Sequence, residues 1–328
     1  DPQLDMMETF RKHAHNLKTP EPPPQWDKIA SVVIPAIQEM YCETVRGIRG
    51  VGKRAVGASR IPPFPSVGGP SDEASEQPME PTDAERNKLS RLFAVIASEA
   101  AVAVMDVYES AFETRTKADY SPVSDADERA EEIILARLEE ALPGVPVLAE
   151  ERAAREGLAE KVAEAFLLVD PVDGTKEFVQ RRGDFTVNIA LICGGKPVAG
   201  CVFAPARREM YFGGVEAHLI EAFAPGDALR EGRRLKTRTY PAEGLTAITS
   251  SSHLDERTKA FLAARKVASQ TGIGSSLKFC WVAAGKADVY PRWGPTMEWD
   301  TAAGHAVLQA AGGRMLTPEG GPFTYGNG

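Results

Sequence analysis

Residues 167–178, with the sequence "LLVDPVDGTKEF", place two aspartates at the end of an apolar run and follow them with Gly-Thr. The proline after Asp170 restricts that residue to an extended conformation, and Gly174 lets the chain bend sharply after Asp173. Both carboxylates and the Val172 carbonyl can then face one point, which predicts a divalent-metal site at the end of a buried strand. The alternative is an ordinary Asp-Pro-x-Asp-Gly turn, because Asp and Gly are both common turn residues.

This apolar run belongs to a series of short strands predicted between residues 165 and 214. Their sequences, "AFLLVD", "DFTVNIALI", "KPVAGCVFAP" and "EMYFGG", are bounded by turn residues, and Gly194-Gly195 is a hairpin signal. The short spacing between these runs favours antiparallel strands over βαβ units.

Two helices are predicted before the strands. Thr82 and Glu85 have the spacing of a capping box for the apolar helix "NKLSRLFAVIASEAAVAVMDVYES". The next helix follows in "SPVSDADERAEEIILARLEEALPG", with Ser124 as its predicted N-cap and Pro143-Gly144 as its stop.

After residue 245 the pattern alternates between strands and helices, in the order "LTAITSSS", "LDERTKAFLAA", "SSLKFCWVAAGK", "ADVYPRW" and "WDTAAGHAVLQAAGG". The first and fourth of these segments are predicted strands, and the other three are predicted helices. Together with the preceding elements, they predict an α/β (α+β) layered sandwich. We place its two lobes at approximately 82–205 and 206–328, with an active-site cleft between them.

Residues 1–81 have a different composition from the rest of the chain. They contain twelve of the 24 prolines, which is typical of linkers. We therefore predict a Pro-rich, largely disordered extension. The alternative is a helix in "WDKIASVVIPAIQEMYCETVRGI" that docks a partner, because its apolar residues recur at helical spacing.

Composition excludes several classes of protein. A net charge of −8 with scattered Lys and Arg argues against a nucleic-acid polymer as partner. The four cysteines lie far apart and lack the spacing of a zinc site. No apolar run approaches the roughly 20 residues of a transmembrane helix. We expect a cytoplasmic protein, and we leave open its oligomeric state and any peripheral contact with a membrane.

Further acidic residues stand at the ends of predicted elements: Asp127, Glu150, Glu151 and Asp300. Two carboxylates about 4 Å apart repel by about 4 kcal/mol at an effective dielectric of about 20, so a converging cluster requires cations or protonation. Oxygen ligands without Cys or His favour Mg²⁺, Mn²⁺ or Ca²⁺ over zinc. Each acid has an alternative: Asp127 completes a capping box with Ser124, Asp300 caps the last helix, and the glutamates occupy a solvated loop.

The segments "VLAEE", "LLVDPVDGTKEF" and "EWDTAAGHAV", in this order, resemble the inositol monophosphatase superfamily of Mg²⁺-dependent, lithium-sensitive phosphatases. The resemblance covers about residues 88–325 and includes "KADYSPVSDADERA", "GDFTVNIALI" and "GSSLKFCWVAAGKADVYPRWGPT". Within the superfamily, the pattern is similar to the 3'(2'),5'-bisphosphate nucleotidases of bacterial sulfate assimilation. The resemblance implies a layered α/β sandwich and removal of the 3'-phosphate from adenosine 3',5'-bisphosphate, with its sulfated form as a further substrate.

The resemblance also implies roles for individual residues. The implied ligands of two or three Mg²⁺ ions, with Mn²⁺ as an alternative, are Glu150, Asp170, the Val172 carbonyl, Asp173 and Asp300. The implied catalytic residues are Asp127, Thr175 and Glu151, of which Asp127 and Thr175 orient the attacking water. The implied substrate contacts are Glu150, Val172, Asp173, Gly174, Thr175, Ser252, His253, Ser276, Lys278, Arg292 and Asp300.

Two features concern the substrate. Inositol monophosphatases usually carry Asn two residues after the Gly-Thr of this motif, where this sequence has Lys176-Glu177, and this difference indicates the nucleotidase branch. Ser251, in contrast, replaces the Arg that nucleotidases commonly show. His253 has the alternative of being a surface or capping residue. The small residues 302–304 either leave room for a ligand or serve helix packing.

Three functions therefore remain in competition. The leading one is a phosphomonoesterase that acts on the nucleoside bisphosphate. The first alternative is an inositol or other sugar-phosphate phosphatase. The second, from another class, is a non-catalytic nucleotide-binding module whose N-terminal extension recruits a partner.

Overall fold

The computed structural model describes residues 80–110, 122–157, 162–249 and 255–326. The predicted Pro-rich extension and its helix lie outside these ranges, apart from residues 80 and 81. Two predicted substrate contacts, Ser252 and His253, also lie outside the described residues. Among the described helices, none has the length and apolar content needed to cross a membrane.

The described helices are α1 (Asp83–Glu109), α2 (Pro122–Ala141), α3 (Glu150–Glu156), α4 (Thr175–Val179), α5 (Glu256–Ala263), α6 (Leu277–Ala283) and α7 (Trp299–Ala310). The described strands are β1 (Val147–Ala149), β2 (Ala165–Asp173), β3 (Thr186–Cys193), β4 (Lys196–Ala204), β5 (Glu209–Gly213), β6 (Ala217–Ile220), β7 (Arg233–Arg234), β8 (Leu245–Thr249) and β9 (Val267–Gly272).

Strands β1 to β7 form one sheet in chain order. β1 is parallel to β2, and each later neighbour pairs antiparallel. Gly194 and Gly195 connect β3 to β4, and both have positive φ. The predicted antiparallel strands and their hairpin are therefore confirmed.

Both faces of the sheet are covered, as the alternation of side chains in β2 shows. Leu167 and Val169 join the core formed with α1 and α2, whereas Phe166 and Leu168 join the core formed with α6 and α7. This period of two is what a strand buried on both faces requires. The layered sandwich is confirmed. A smaller parallel pair, β8 and β9, forms a second sheet, and Ile248 of β8 joins the core formed with α6 and α7.

The beginnings of the first two helices differ in how well the sequence predicted them. At α1 the capping box is present: the Thr82 hydroxyl accepts from the Glu85 N–H, and the Glu85 carboxylate accepts from the Thr82 N–H at 2.7 Å. At α2 the prediction was wrong. The helix begins at Pro122, a residue favoured in the first turn, so Ser124 lies inside the helix and is not its N-cap.

Two further predictions need correction. The proposed lobe boundary at 205/206 falls in the turn between β4 and β5, which pair directly, so one sheet crosses it. The predicted strand "ADVYPRW" is reduced to a single bridge between Val289 and Ala247.

Helix α7 lies close to its neighbours because its interior residues are small. A Cβ at Gly304 would stand 2.5 Å from the Phe279 ring on α6, and one at Gly200 on β4 would stand 2.8 Å from the Ala306 Cβ. Ala302 and Ala303 are fully buried in the same core. Helix packing, and not room for a ligand, therefore explains residues 302–304.

Gly304→Ala is expected to lower the free energy of unfolding by about 1–3 kcal/mol, because the added methyl overlaps the Phe279 ring in a packed core. Denaturant unfolding measures this change. Gly321→Ala is the matched control, since a Cβ there meets only the Thr317 hydroxyl at 3.5 Å. Equal stability of Gly304→Ala and wild type would contradict the close packing of α6 against α7.

Candidate active site

A cleft opens at the carboxyl end of β2, where the first turns of α3, α4 and α7 meet. It consists of two adjoining cavities of about 260 Å³ and about 150 Å³. Asp173, Gly174 and Asp300 line both cavities. The larger cavity is lined by most of the predicted metal and catalytic residues, namely Glu150, Glu151, Asp170, Val172, Asp173, Thr175 and Asp300.

A bulge in β2 explains how both aspartates reach one cleft. In a regular strand, residues three apart point to opposite faces. Here Asp170 pairs with Asn188 and Asp173 pairs with Thr186, so a step of three residues along β2 matches a step of two residues along β3. The extra residue reverses the alternation, and the two carboxylates lie on one side of the sheet.

Gly174 then turns the chain from β2 into α4. Its φ is +102°, and a Cβ there would lie 3.2 Å from the Asp184 carbonyl oxygen. Both facts favour glycine, since other residues rarely adopt this conformation. Thr175, exposed at the first position of α4, consequently lies beside the cleft. The segment after β2 is thus a strand-to-helix connection, and the interpretation as an ordinary turn is too simple.

The positions of the remaining acids bear on the structural roles that were their alternatives. Glu150 and Glu151 begin α3 and are partly buried, so they do not form a solvated loop. Asp300 lies in the first turn of α7, whose N-cap is Glu298. Its carboxylate accepts from the Met297 N–H at 3.1 Å and from the Thr296 hydroxyl at 2.8 Å. Asp127 is buried on α2.

Burial and mutual repulsion raise the pKa of several of these acids. Burial, followed by the charges of Glu151 and Glu150, raises the pKa of Asp127 to about 9. Burial and Asp300 raise the pKa of Glu150 to about 7. Burial and then Glu150 raise the pKa of Asp170 well above its usual range. Negative charge in the cleft is therefore costly unless a cation accompanies it.

The donor set fits a hard divalent cation. Only oxygen atoms are offered, and Asp170 Oδ1 is buried without a hydrogen-bond partner among the described residues. The acids form cleft walls and not a closed shell: in the described ranges, no three Asp, Glu, His or Cys side chains already surround one point. The described cysteines, Cys193, Cys201 and Cys280, are buried and line neither cavity.

Ser276 joins two of the acid-bearing elements. Its N–H donates to Asp173 Oδ2 at 2.6 Å, and its hydroxyl oxygen lies 3.0 Å from the same oxygen and 2.7 Å from the Asp300 carbonyl oxygen. From the sequence, Ser276 is expected to contact the substrate. The structure shows it orienting a predicted metal ligand, and a direct contact with substrate stays a prediction.

The smaller cavity carries the predicted cations. It is lined by Lys176, Glu177, Ile273, Gly274, Ser275, Lys278, Phe279, Tyr290 and Arg292, in addition to the three shared residues. Lys278 is 8% exposed, and its ammonium lies 5.5 Å from the centre of the Tyr290 ring. Burial lowers the pKa of Lys278, and the nearby charge of Asp173 opposes that effect. Lys176 and Glu177 thus stand in the same cavity as Lys278 and Arg292.

Several residues in or beside the cleft are not predicted from the sequence. Tyr290 and Phe279 form an edge-to-face pair in the smaller cavity, with ring centres 5.4 Å apart. Thr186 and Asn188 lie buried opposite the two aspartates of β2, and their side-chain polar atoms lack partners among the described residues. The available signal was two polar residues, two apart, in the otherwise apolar strand "TVNIALI".

Comparisons with known proteins agree with this fold. The sequence model of the inositol monophosphatase family matches residues 88–328. The 3'(2'),5'-bisphosphate nucleotidase CysQ of Escherichia coli (strain K12) is 43% identical over 234 residues, which is 70% of this chain and 91% of that protein. The corresponding protein of Buchnera aphidicola subsp. Acyrthosiphon pisum (strain APS) is 37% identical over 70% of this chain and 84% of its own length.

Two solved structures are similar in fold. The crystal structure of CysQ from Bacteroides thetaiotaomicron, described as a bacterial member of the inositol monophosphatase family, has a TM-score of 0.63 and 36% identity, over 73% of this chain and 92% of that one. Mycobacterium tuberculosis SuhB has a TM-score of 0.53 and 28% identity, over 72% and 87%.

The layered fold and its cleft define the class first: an α/β sandwich with a cluster of carboxylates at the carboxyl end of β2. The chain belongs to the inositol monophosphatase family. Its resemblance to the bisphosphate nucleotidases within that family is confirmed by the CysQ relatives.

Ser276→Ala is expected to weaken the binding of Mn²⁺ about tenfold, because Asp173 loses the hydroxyl contact beside its remaining N–H bond. Calorimetric titration measures the affinity. Ser90→Ala is the matched control: the Ser90 side chain is also buried and its hydroxyl donates to the Asn87 carbonyl at 2.9 Å, but it lines neither cavity of the cleft. Unchanged affinity in Ser276→Ala would show that this hydroxyl does not orient a ligand.

Proposed function

We propose that this protein is a Mg²⁺-dependent phosphomonoesterase that removes the 3'-phosphate of adenosine 3',5'-bisphosphate. One observation carries the proposal: an acid-lined cavity and a cation-bearing cavity share Asp173, Gly174 and Asp300. A substrate with two phosphates requires such a pair of neighbouring sites. The identity with CysQ proteins named as 3'(2'),5'-bisphosphate nucleotidases supports the same substrate.

The residues that would hold Mg²⁺, with Mn²⁺ as a substitute, are Glu150, Asp170, the Val172 carbonyl, Asp173 and Asp300. The support comes from their common cleft, their oxygen-only donors and the unpartnered Asp170 oxygen. Divalent ions held there supply electrostatic stabilisation of the charge on the transferring phosphate. Phosphate monoesters are among the slowest substrates to hydrolyse unaided, so electrostatic stabilisation must remove a large share of the barrier.

We assign the orientation of the attacking water to Asp127 and Thr175, with Glu151 as a further catalytic residue. Asp127 and Glu151 interact electrostatically, and Glu151 and Thr175 line one cavity. The Gly174 and Thr175 N–H groups belong to the first turn of α4, where backbone N–H groups lack partners within the helix. They are our candidates for binding the transferred phosphate.

The smaller cavity would receive the second phosphate and the nucleoside. Lys278 and Arg292 supply positive charge there, and Phe279 and Tyr290 supply aromatic surface. Arg292 donates to the Pro295 carbonyl at 2.7 Å, which holds its guanidinium at the cavity wall. Ser252 and His253, outside the described residues, stay candidates from the sequence alone.

The function is tested by release of inorganic phosphate from adenosine 3',5'-bisphosphate, 3'-phosphoadenylyl sulfate and inositol 1-phosphate, with Mg²⁺ and with or without lithium. We expect preference for the bisphosphate, dependence on Mg²⁺ and inhibition by lithium. Asp173→Asn should remove most of the activity and leave the fold intact by circular dichroism. Preference for inositol 1-phosphate would instead support a sugar-phosphate phosphatase, and binding without turnover would support a non-catalytic module.

Lys278→Met is expected to raise KM for adenosine 3',5'-bisphosphate about tenfold or more, because a charge-assisted contact to the second phosphate is lost. Steady-state kinetics with adenosine 3'-monophosphate provides the comparison, since that ester lacks only the 5'-phosphate. Its KM should change much less. An equal change for both esters would mean that Lys278 acts on the transferred phosphate.

A further inference from the structure

Glu131 is a buried carboxylate with no proposed role in metal binding, catalysis or substrate binding. It lies on α2, one helical turn after Asp127, and is 1% exposed. Residues four apart on a helix share one face, so Glu131 faces the same neighbours as the proposed catalytic acid. Buried carboxylates are rare unless they are paired and hydrogen-bonded, so Glu131 requires partners within the fold.

Both partners of Glu131 belong to the short helix α3. Glu131 Oε2 accepts the backbone N–H of Glu151 at 2.8 Å. Glu131 Oε1 lies 3.3 Å from Nη2 of Arg155, one turn further along α3. The carboxylate thus contacts the first and second turns of the helix that carries Glu150 and Glu151.

Helix α3 has few other means of attachment. None of its residues is buried, and its N-cap, Ala149, provides no side-chain hydrogen bond. The first N–H groups of a helix need acceptors from outside, and a negative charge is favourable at that end. Glu131 therefore acts as a cap supplied by another helix, and Arg155 balances its buried charge. A further contact, from the Arg152 guanidinium to the Val147 carbonyl, ties α3 to the strand before it.

We propose that Glu131 is a positioning residue that fixes α3 against α2 and so keeps Glu150 and Glu151 in place relative to Asp127. Glu131 lines neither cavity of the cleft. The role deepens the proposed function, because it concerns the divalent-ion site on which that function depends. Without Glu131, α3 loses its acceptor for the Glu151 N–H, and the Glu150 carboxylate is no longer held at one distance from Asp170.

The test compares Glu131→Ala and Glu131→Gln with Glu132→Ala. Glu132 is the adjacent residue, is exposed and carries the same charge, which makes it the matched control. Mn²⁺ affinity is measured by calorimetry, and the melting temperature is measured in EDTA and in Mn²⁺. We expect Glu131→Ala to bind Mn²⁺ about tenfold more weakly and to gain less stability from it. Glu131→Gln should lie closer to wild type, because its amide oxygen still accepts the Glu151 N–H. Glu132→Ala should match wild type.

Arg155→Met provides a second variant that leaves the Glu151 hydrogen bond in place. If Glu131→Ala does not fold, Glu131→Gln and Arg155→Met carry the test, with a smaller loss of Mn²⁺ affinity expected in both. Wild-type Mn²⁺ affinity in the foldable Glu131 variants, with a lower melting temperature only, would overturn the positioning role. Failure of the proposed function is distinguishable, because wild type would then bind Mn²⁺ without releasing phosphate from the bisphosphate.

Discussion

Mutual repulsion among buried carboxylates is the constraint on which the rest of this site depends. Asp127, Glu150 and Asp170 lie in surroundings that raise the pKa of each, first through burial and then through the charges of neighbouring carboxylates. No isolated chain segment would hold such charges together. The sandwich does so because the apolar cores on both sides of the sheet fix β2, α2 and α7, which carry Asp170, Asp127 and Asp300. The repulsion in turn makes negative charge in the cleft costly unless a cation accompanies it.

The bulge in β2 converts this constraint into a geometry. An unbroken strand would send Asp170 and Asp173 to opposite faces, one of them into the α1–α2 core. One extra residue places both carboxylates on the side of α7. There Ser276 donates a hydrogen bond to Asp173, and Asp300 lies close enough to interact with it electrostatically. The strand therefore places two charges in one cleft, and Gly174 turns the chain from β2 into α4.

The supports of the acids come from different parts of the chain. Asp173 is held by Ser276, Asp300 by Thr296 and the Met297 N–H, and the helix of Glu150 by Glu131. Contacts of this kind orient the side chains that bind a metal ion and so affect its affinity. The adjoining cavity with Lys278 extends the cleft beyond the acids, so the same elements present negative and positive groups side by side.

The sequence by itself determined the features that depend on local chemistry: the antiparallel strands, the capping box at Thr82, the turn at Gly174 and the oxygen-only character of the acidic motifs. These follow from propensity and spacing within a few residues. It did not reveal the register shift opposite Asn188, the start of α2 before Ser124, or the contact of Glu131 with α3. Those depend on pairing between segments distant along the chain, because a carboxylate buried between two helices has no local signature. Only the tertiary structure decides which polar residues meet.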